Sequence, residues 1–269
     1  MLTKRFGILG AIAILPAFAQ VSSLQPKTDI TQLTAPRYNG PIKGKLAHGD
    51  SSVTSTNWSG YAVTGTGFTN AVGSWIVPAL TCKSGTEYAV FWVGIDGYND
   101  GTVEQAGTEG VCSGTSAIYS AWYEFYPATP ILTISSITVK PGDVMESAIL
   151  YDTATSEFTV EIKNVTTGKS YSTSSTVSGA ERSSAEFIAE APSSFEVLPL
   201  ADYGTVLFGK DSTSLPGCTA EDTATHAVIG AFPAADIFAI TMEKNNVVES
   251  IPSSLSSDGS SFSVTWAAQ

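Results

Sequence analysis

The sequence predicts an all-β protein, a β-sandwich of two antiparallel sheets of the concanavalin A-like or jelly-roll kind. Three observations carry that expectation. From Val53 onward, short runs rich in β-branched and aromatic residues follow one another, at 58–63, 71–77, 88–95, 117–126, 134–139, 144–151, 158–164, 170–176, 185–189, 205–208, 237–242 and 262–266. Gly, Asn, Asp, Ser or Pro punctuates most of them, as in Lys140-Pro141-Gly142-Asp143, Thr167-Gly168 and Asp258-Gly259. No stretch sustains a helical period with caps at both ends. Many short, regularly spaced strands fit a sandwich, and 269 residues with 43% hydrophobic content suffice for a packed core. One domain absorbs residues 51–269, since no internal repeat or Pro/Gly-rich linker divides that span.

The chain opens differently. Residues 1–19 have a basic start at Lys4 and Arg5, an apolar run over 6–18 broken by Pro16, and a small-x-small end at Ala17-Phe18-Ala19. This is the pattern of a secretory signal peptide, and the run is too short to span a bilayer. A secreted, extracellular protein without a membrane anchor, monomeric and working in an acidic environment, is expected. Residues 20–50 carry Pro26, Pro36 and Pro41 and lack a sustained hydrophobic period. They read as a pro-segment.

Charge is divided between these parts. Residues 20–50 hold Lys27, Arg37, Lys43 and Lys45 against Asp29 and Asp50, a net +2, whereas residues 51–269 hold 7 Lys and Arg against 23 Asp and Glu, a net −16. An acidic body disfavours a nucleic-acid partner, because phosphate backbones bind basic faces. A basic pro-segment lying over an acidic cleft of the body, as its own inhibitor, is the expectation. Once its carboxylates are protonated, the body keeps few charges to repel one another and can stay folded in acid.

Three cysteines in an exported chain suggest one disulfide and one odd thiol. Cys82 with Cys112 is favoured, leaving Cys218 free; that bridge closes a loop carrying Trp92, Asp96 and Gln105 and contributes about 3–4 kcal/mol by chain entropy. No zinc-type spacing exists, and His48 and His226 are the only histidines. Neither a metal nor another cofactor is expected.

Chemistry concentrates between Tyr88 and Pro127, where three short pieces read as strands. Alternation puts Trp92, Gly94 and Asp96 on one face and Ala89, Phe91, Val93 and Ile95 on the other. The same rule groups Trp122, Glu124 and Tyr126 against Ala121, Tyr123 and Phe125. Thr102-Val-Glu-Gln-Ala-Gly107 lies between them and brings Gln105 to the same region if the flanking strands share a sheet. A further acid comes from Ser184-Ala-Glu-Phe-Ile-Ala-Glu190, where Glu186 and Glu190 share a face. Several hydrolase signatures are absent. Gly-x-Ser-x-Gly, Asp-Thr-Gly, Asp-Ser-Gly and His-Glu-x-x-His do not occur, which leaves carboxylate and amide chemistry.

Asn57-Trp-Ser-Gly-Tyr61, Trp92-Val-Gly-Ile-Asp-Gly97, Gln105-Ala-Gly107, Ala121-Trp-Tyr-Glu-Phe-Tyr-Pro127 and Ala185-Glu-Phe-Ile-Ala-Glu190 stand in the order and approximate spacing of the glutamic peptidases, or eqolisins. The chain resembles that family over roughly residues 51–269. The resemblance implies a secreted acid endopeptidase on a two-sheet sandwich, acting on polypeptides with Gln105 and Glu190 as catalytic dyad. Trp58, Trp92, Asp96, Trp122, Glu124 and Tyr126 then resemble supporting and substrate-binding positions. Where fungal relatives usually carry Leu-Gln-Thr-Gly, this chain has Glu104-Gln-Ala-Gly107, so Ala106 replaces a hydroxyl beside the dyad. Two alternatives stand beside this reading: a glycosidase using two of Glu124, Glu186 and Glu190, and a carbohydrate-binding module. The dyad suits acid, because a carboxylate with an ordinary pKa of about 4.3 is partly ionised there and a glutamine donor does not titrate. Pepstatin insensitivity is expected, because no paired aspartates await its statine hydroxyl.

Overall fold

The computed structural model describes residues 30–32, 37–48 and 51–268. The signal-like stretch 1–19 and Lys27 lie outside the described residues. In chain order the strands are β1 (Ile30–Gln32), β2 (Leu46–Ala47), β3 (Ser52–Ser55), β4 (Trp58–Thr64), β5 (Asn70–Ile76), β6 (Thr86–Ile95), β7 (Val103–Ser113), β8 (Ser116–Tyr126), β9 (Leu132–Ile134) and β10 (Val144–Asp152). They continue as β11 (Glu157–Asn164), β12 (Lys169–Ser175), β13 (Ser184–Glu190), β14 (Thr205–Gly209), β15 (Thr219–Glu221), β16 (His226–Val228), β17 (Ile237–Lys244), β18 (Val247–Pro252) and β19 (Ser261–Trp266). One short helix, Lys210–Thr213, follows β14.

Two layers face each other. The first runs β1-β9-β8-β7-β6-β13-β4-β17-β3-β2, and the second runs β12-β11-β10-β5, with β14 and β15 sharing the far edge of β5. β18 pairs with β17 on one side and β19 on the other, and β19 pairs with β14, so the layers join along one edge. Pairing between these strands is antiparallel apart from β3 with β17. The predicted sandwich is observed.

The core between the layers is built by alternation. Phe91, Val93, Tyr123, Phe125 and Phe187 point inward from the first layer to meet Trp75, Ile149, Phe158 and Ile162 of the second. Full burial of a side chain such as Phe187 contributes about 1.5–3 kcal/mol. β11 alternates between buried and wetter positions, the signature of a sheet with one face in water. β13 is buried at every position, because its outer face is covered too. A second apolar cluster on that outer side contains Trp58, Trp92, Trp122, Ile188 and Ile240.

Two segments depart from the pattern. From Val103 on, the piece read as Thr102–Gly107 belongs to an eleven-residue strand, its polar composition being tolerated because β6 and β8 satisfy its backbone on both edges. The run at 134–139 leaves the sheet after Ile134, and Ile137 and Val139 enter the core from a turn. Cys82 and Cys112 form a disulfide, and Cys218 is free and buried.

Candidate functional site

β6, β7 and β8 lie side by side, and β13 lies against the other edge of β6. Their registers assemble the site. Gln105 is directly opposite Gly94 on β6 and Glu124 on β8, while Trp92 is opposite Gly107 on β7 and Ile188 on β13. Glycine at 94 and 107 is what lets the Trp92 indole lie across the sheet. A Cβ on Gly94 would stand 2.7 Å from the Trp92 ring, and one on Gly107 would stand 2.1 Å from the Phe91 carbonyl and 2.7 Å from the Trp92 Cβ. Thus placed, Trp92 Nε1 donates to Glu190 Oε2 at 2.9 Å. Trp58, opposite Glu190 across β4 and β13, packs edge-on against Trp92 with ring centroids 5.0 Å apart.

Glu190 has a second donor that sequence reasoning missed. Asn57 Nδ2 donates to Glu190 Oε1 at 3.2 Å. Asn57 is fully buried, so the Asn57-Trp58-Ser59 triplet is a site element and not a surface glycan acceptor. Its only sequence signal was its place beside Trp58 in a motif. Burial pushes the Glu190 carboxyl well above the usual range and the neighbouring Glu124 adds to the rise, while the Trp92 and Asn57 donors and the Lys43 charge pull it down. Burial likewise raises Glu124, which accepts from Gln105 Nε2 at 3.1 Å and from the Asn39 N–H at 2.9 Å. Neither Gln105 Oε1 nor Glu124 Oε1 has a hydrogen-bond partner among the described residues.

Residues 37–45 cross this groove. The Arg37 guanidinium bonds Glu109 Oε2 at 2.7 Å, Gln105 Nε2 donates to the Asn39 carbonyl, and Lys43 Nζ donates to Ser193 Oγ at 2.7 Å. Tyr38 meets Tyr126 edge-on at 5.8 Å, and Lys45 Nζ lies 4.1 Å over the Tyr98 ring while donating to the Tyr98 carbonyl. Of the basic side chains described in this segment, Arg37 pairs with a carboxylate, while Lys43 and Lys45 donate to neutral oxygens. Arg37 pairs with Glu109, two pleats along β7 from Gln105, and Glu124 is met by backbone N–H. Glu109 is a second residue missed in the sequence, although it shares the Gln105 face.

Asp96 stands just past the end of β6, and Glu186 stands opposite Gly94 in the same row as Gln105; neither forms a hydrogen bond to Gln105 or Glu190. Asp96 has a left-handed backbone (φ 72°), which short polar side chains tolerate. Its carboxylate accepts from the N–H groups of Glu181, Arg182 and Ser183 at 3.0, 2.8 and 2.7 Å and so pins the entry to β13. Burial and the nearby Asp100 nonetheless push Asp96 up to about 7. Glu104 and Glu186 are fully buried, and none of their carboxyl oxygens has a hydrogen-bond partner among the described residues. Burial and mutual repulsion among Asp96, Asp100, Glu104 and Glu186 raise both well above the ordinary range. His226 is exposed and pairs with Glu221 Oε2 at 2.8 Å, away from these groups. No group of three or more His, Cys, Asp or Glu that could hold a metal occurs among the described residues, and no helix there is long and apolar enough to cross a membrane.

Comparison with known proteins gives matches at the level of family and fold. A sequence profile of the Peptidase A4 family matches residues 56–266. Aspergillopepsin-2 of Aspergillus niger is 29% identical over 189 residues, covering 61% of this chain and 66% of that protein. Scytalidopepsin B of Scytalidium lignicola is 35% identical over 142 residues, covering 50% of this chain and 51% of its own length. The chain thus spans about half to two thirds of the curated relatives it matches. Among solved structures, scytalido-glutamic peptidase with a transition-state-analogue inhibitor superposes with a TM-score of 0.65 at 24% identity, over 79% of this chain and 98% of that one. Aspergilloglutamic peptidase from Aspergillus niger does so with a TM-score of 0.56 at 25% identity, over 67% and 99%.

Proposed function

Since the chain belongs to the Peptidase A4 family, we propose that it is a secreted acid endopeptidase in which Glu190 activates water and the Gln105 amide stabilises the oxyanion. The observation that carries this reading is a convergence: the Gln105 amide and the Glu190 carboxyl, each beside Glu124, open onto a groove in which a polypeptide backbone runs. Attack on a peptide carbonyl needs a base for the water's proton and a donor for the developing charge. Burial holds Glu190 above the ordinary value expected for acid catalysis, so Glu190, oriented by Trp92 and Asn57, is the base once the groove opens to water and the carboxyl ionises, and it afterwards returns the proton to the leaving amine. Gln105 is the donor. Glu124 holds the Gln105 amide in place, while Trp58, Trp92, Trp122 and Tyr126 form the floor and wall of the groove. Asp96 supports the strand entry from a distance.

Residues 20–50 act in this reading as the inhibitory pro-segment, following a signal peptide at 1–19. What supports it is the course of residues 37–45 over the groove, the ion pair of Arg37 with Glu109 and the Lys43 charge felt by Glu190. A glycosidase or glycan-binding module has no use for such an occupant. The test is digestion of a denatured protein and a β-glucan side by side, at acid and neutral pH, with Glu190→Gln as control. Cleavage of protein alone, in acid alone and only with Glu190 present is expected; release of sugars would overturn the reading.

A further inference from the structure

The hydrogen bonds of the leader fix its register in the groove residue by residue. The Arg37 carbonyl accepts from the Ile131 N–H at 3.0 Å, and Tyr38 exchanges both backbone bonds with Ser193 at 2.9 Å each. Asn39 follows, fully buried, its N–H on Glu124 and its carbonyl on the Gln105 amide. Beyond it the Pro41 carbonyl accepts from Asn57 Nδ2 at 3.4 Å, the same amide that holds Glu190. Ile42 N–H then donates to the Gly97 carbonyl at 3.0 Å and Lys43 N–H to Asn57 Oδ1 at 2.7 Å. Along this run, the carbonyl seated on Gln105 is that of Asn39, while those of Arg37, Tyr38 and Pro41 are taken by other donors.

We propose that the peptide bond between Asn39 and Gly40 is the one this groove presents for hydrolysis, so that the leader is the enzyme's first substrate as well as its cover. The inference rests on the peptidase reading and adds to it a scissile bond, a chain direction and a substrate class. Tyr38 and Asn39 lie on the acyl side, with the Tyr38 ring against Tyr126. Gly40 and Pro41 lie on the amine side. There the Tyr126 ring leaves little room, since a Cβ on Gly40 would stand 3.3 Å from it. A residue that precedes proline is steered to extended backbone, which suits Gly40 to a groove-bound strand. The favoured substrates are therefore extended peptides with glycine, or a comparably small residue, just after the cut bond.

The step balances without a co-reactant. Water adds through oxygen to the Asn39 carbonyl carbon, and its proton passes to Glu190. The carbonyl oxygen takes up the charge and is held by the Gln105 amide. As the carbon–nitrogen bond breaks, the proton on Glu190 moves to the Gly40 nitrogen. The products are a carboxyl-terminal Asn39 and an amino-terminal Gly40. This places the first cut inside the 20–50 stretch read as the pro-segment, ahead of its end at Asp50. Residues 40–45 remain tied down afterwards, because the Lys43 carbonyl still accepts from Thr56 N–H at 2.8 Å and from Ser55 Oγ at 3.0 Å.

The test follows full-length secreted chain by intact mass from pH 7 to pH 3, alongside a synthetic peptide of residues 36–46 given to the active enzyme. The expected result is a first fragment ending at Asn39, a body beginning at Gly40, and the same cut in the peptide. Asn-Gly bonds also break without an enzyme, and Glu190→Gln measures that background. A first cut elsewhere, in chain and peptide alike, overturns the proposal; so does a Gly40 terminus that forms equally fast in Glu190→Gln. A denatured protein substrate in the same preparation separates the layers. If it is digested while Asn39-Gly40 stays whole, this inference fails and the peptidase reading stands. If it is not digested in acid either, the peptidase reading itself fails.

Discussion

Gln105 and Glu124 face each other in register across β7 and β8, and the Gln105 amide donates to the Glu124 carboxylate at 3.1 Å. A carboxylate fully buried beside an amide fixes which end of that amide points at it, because only the NH₂ end can donate. Glu124 therefore determines which way Gln105 presents its donors, and the Asn39 carbonyl meets one of them.

Loss of either dyad member should silence the enzyme and spare the fold. Gln105→Ala removes one oxyanion donor, expected to cost about 10²–10³ in kcat. Glu190→Gln removes the base, at about 10²–10⁴. Steady-state kinetics on the mature protein, with a melting curve for each variant, checks both; full activity with a native melt would refute the assignment. Glu186→Gln, whose carboxyl bonds neither dyad member, should change kcat little.

Asn57 offers a graded test. Its bond to Glu190 holds that carboxyl down, and a hydrogen bond to a charged group is worth about 1.5–3 kcal/mol. Asn57→Ala should move the acid limb of the pH profile of kcat/KM upward by about one unit while leaving measurable turnover. An unmoved limb would mean that Asn57 does not tune Glu190.

Stability should be greatest in acid and decline toward neutrality. Asp96 and Glu109 are pushed up to about 7, and Glu104 and Glu186 well above the ordinary carboxylate range, burial being the first cause in each case. Groups raised in the folded state contribute stability that is complete below the unfolded value near 4 and is lost as pH climbs through the folded value. Melting temperature should therefore fall between about pH 5 and 8. Glu186→Gln, which cannot ionise, should flatten that fall without changing the melt in acid. A wild-type melt that rises over this range would overturn the argument.

Inhibition by the leader should weaken as pH drops. Arg37 lies against Glu109, whose carboxyl takes up its proton as pH falls through about 7, so the attraction fades below that value. A peptide of residues 36–48 should inhibit the mature enzyme more tightly at pH 7 than at pH 4. Losing one partner of a buried charged pair costs about 2–5 kcal/mol. Arg37→Met in the peptide should weaken inhibition strongly at pH 7 and less in acid; equal weakening at both would exclude Glu109 protonation as the cause.

Alternation made much of this arrangement legible in advance. It separated Trp92, Trp122 and Glu124 from Phe91, Val93, Tyr123 and Phe125, and the two apolar clusters divide along that line. It failed where backbone geometry leaves period two or where a residue is defined by what crosses over it. Asp96 sits just past the end of β6 with positive φ, so its side chain serves the 181–183 backbone instead of the groove. Glu104 sits opposite the inward-facing Ile95 and Phe125, and a lone acid in such a place gives no periodic signal. Asn57 and Glu109 become meaningful only through Glu190 and Arg37, which lie 133 and 72 residues away along the chain.

The buried thiol of Cys218 bears on how the sulfur chemistry of this chain ends. Only a thiolate attacks a disulfide, and burial pushes this thiol far above its ordinary value, so in acid its reactive fraction vanishes. The sole partner it could scramble with, the Cys82–Cys112 bridge, is thus shielded both by location and by the absence of an attacking anion. An odd number of cysteines normally exposes a secreted chain to mispaired bridges and covalent dimers. Here the oxidative pairing, once formed with Cys218 folded away, is permanent for as long as the core stays closed.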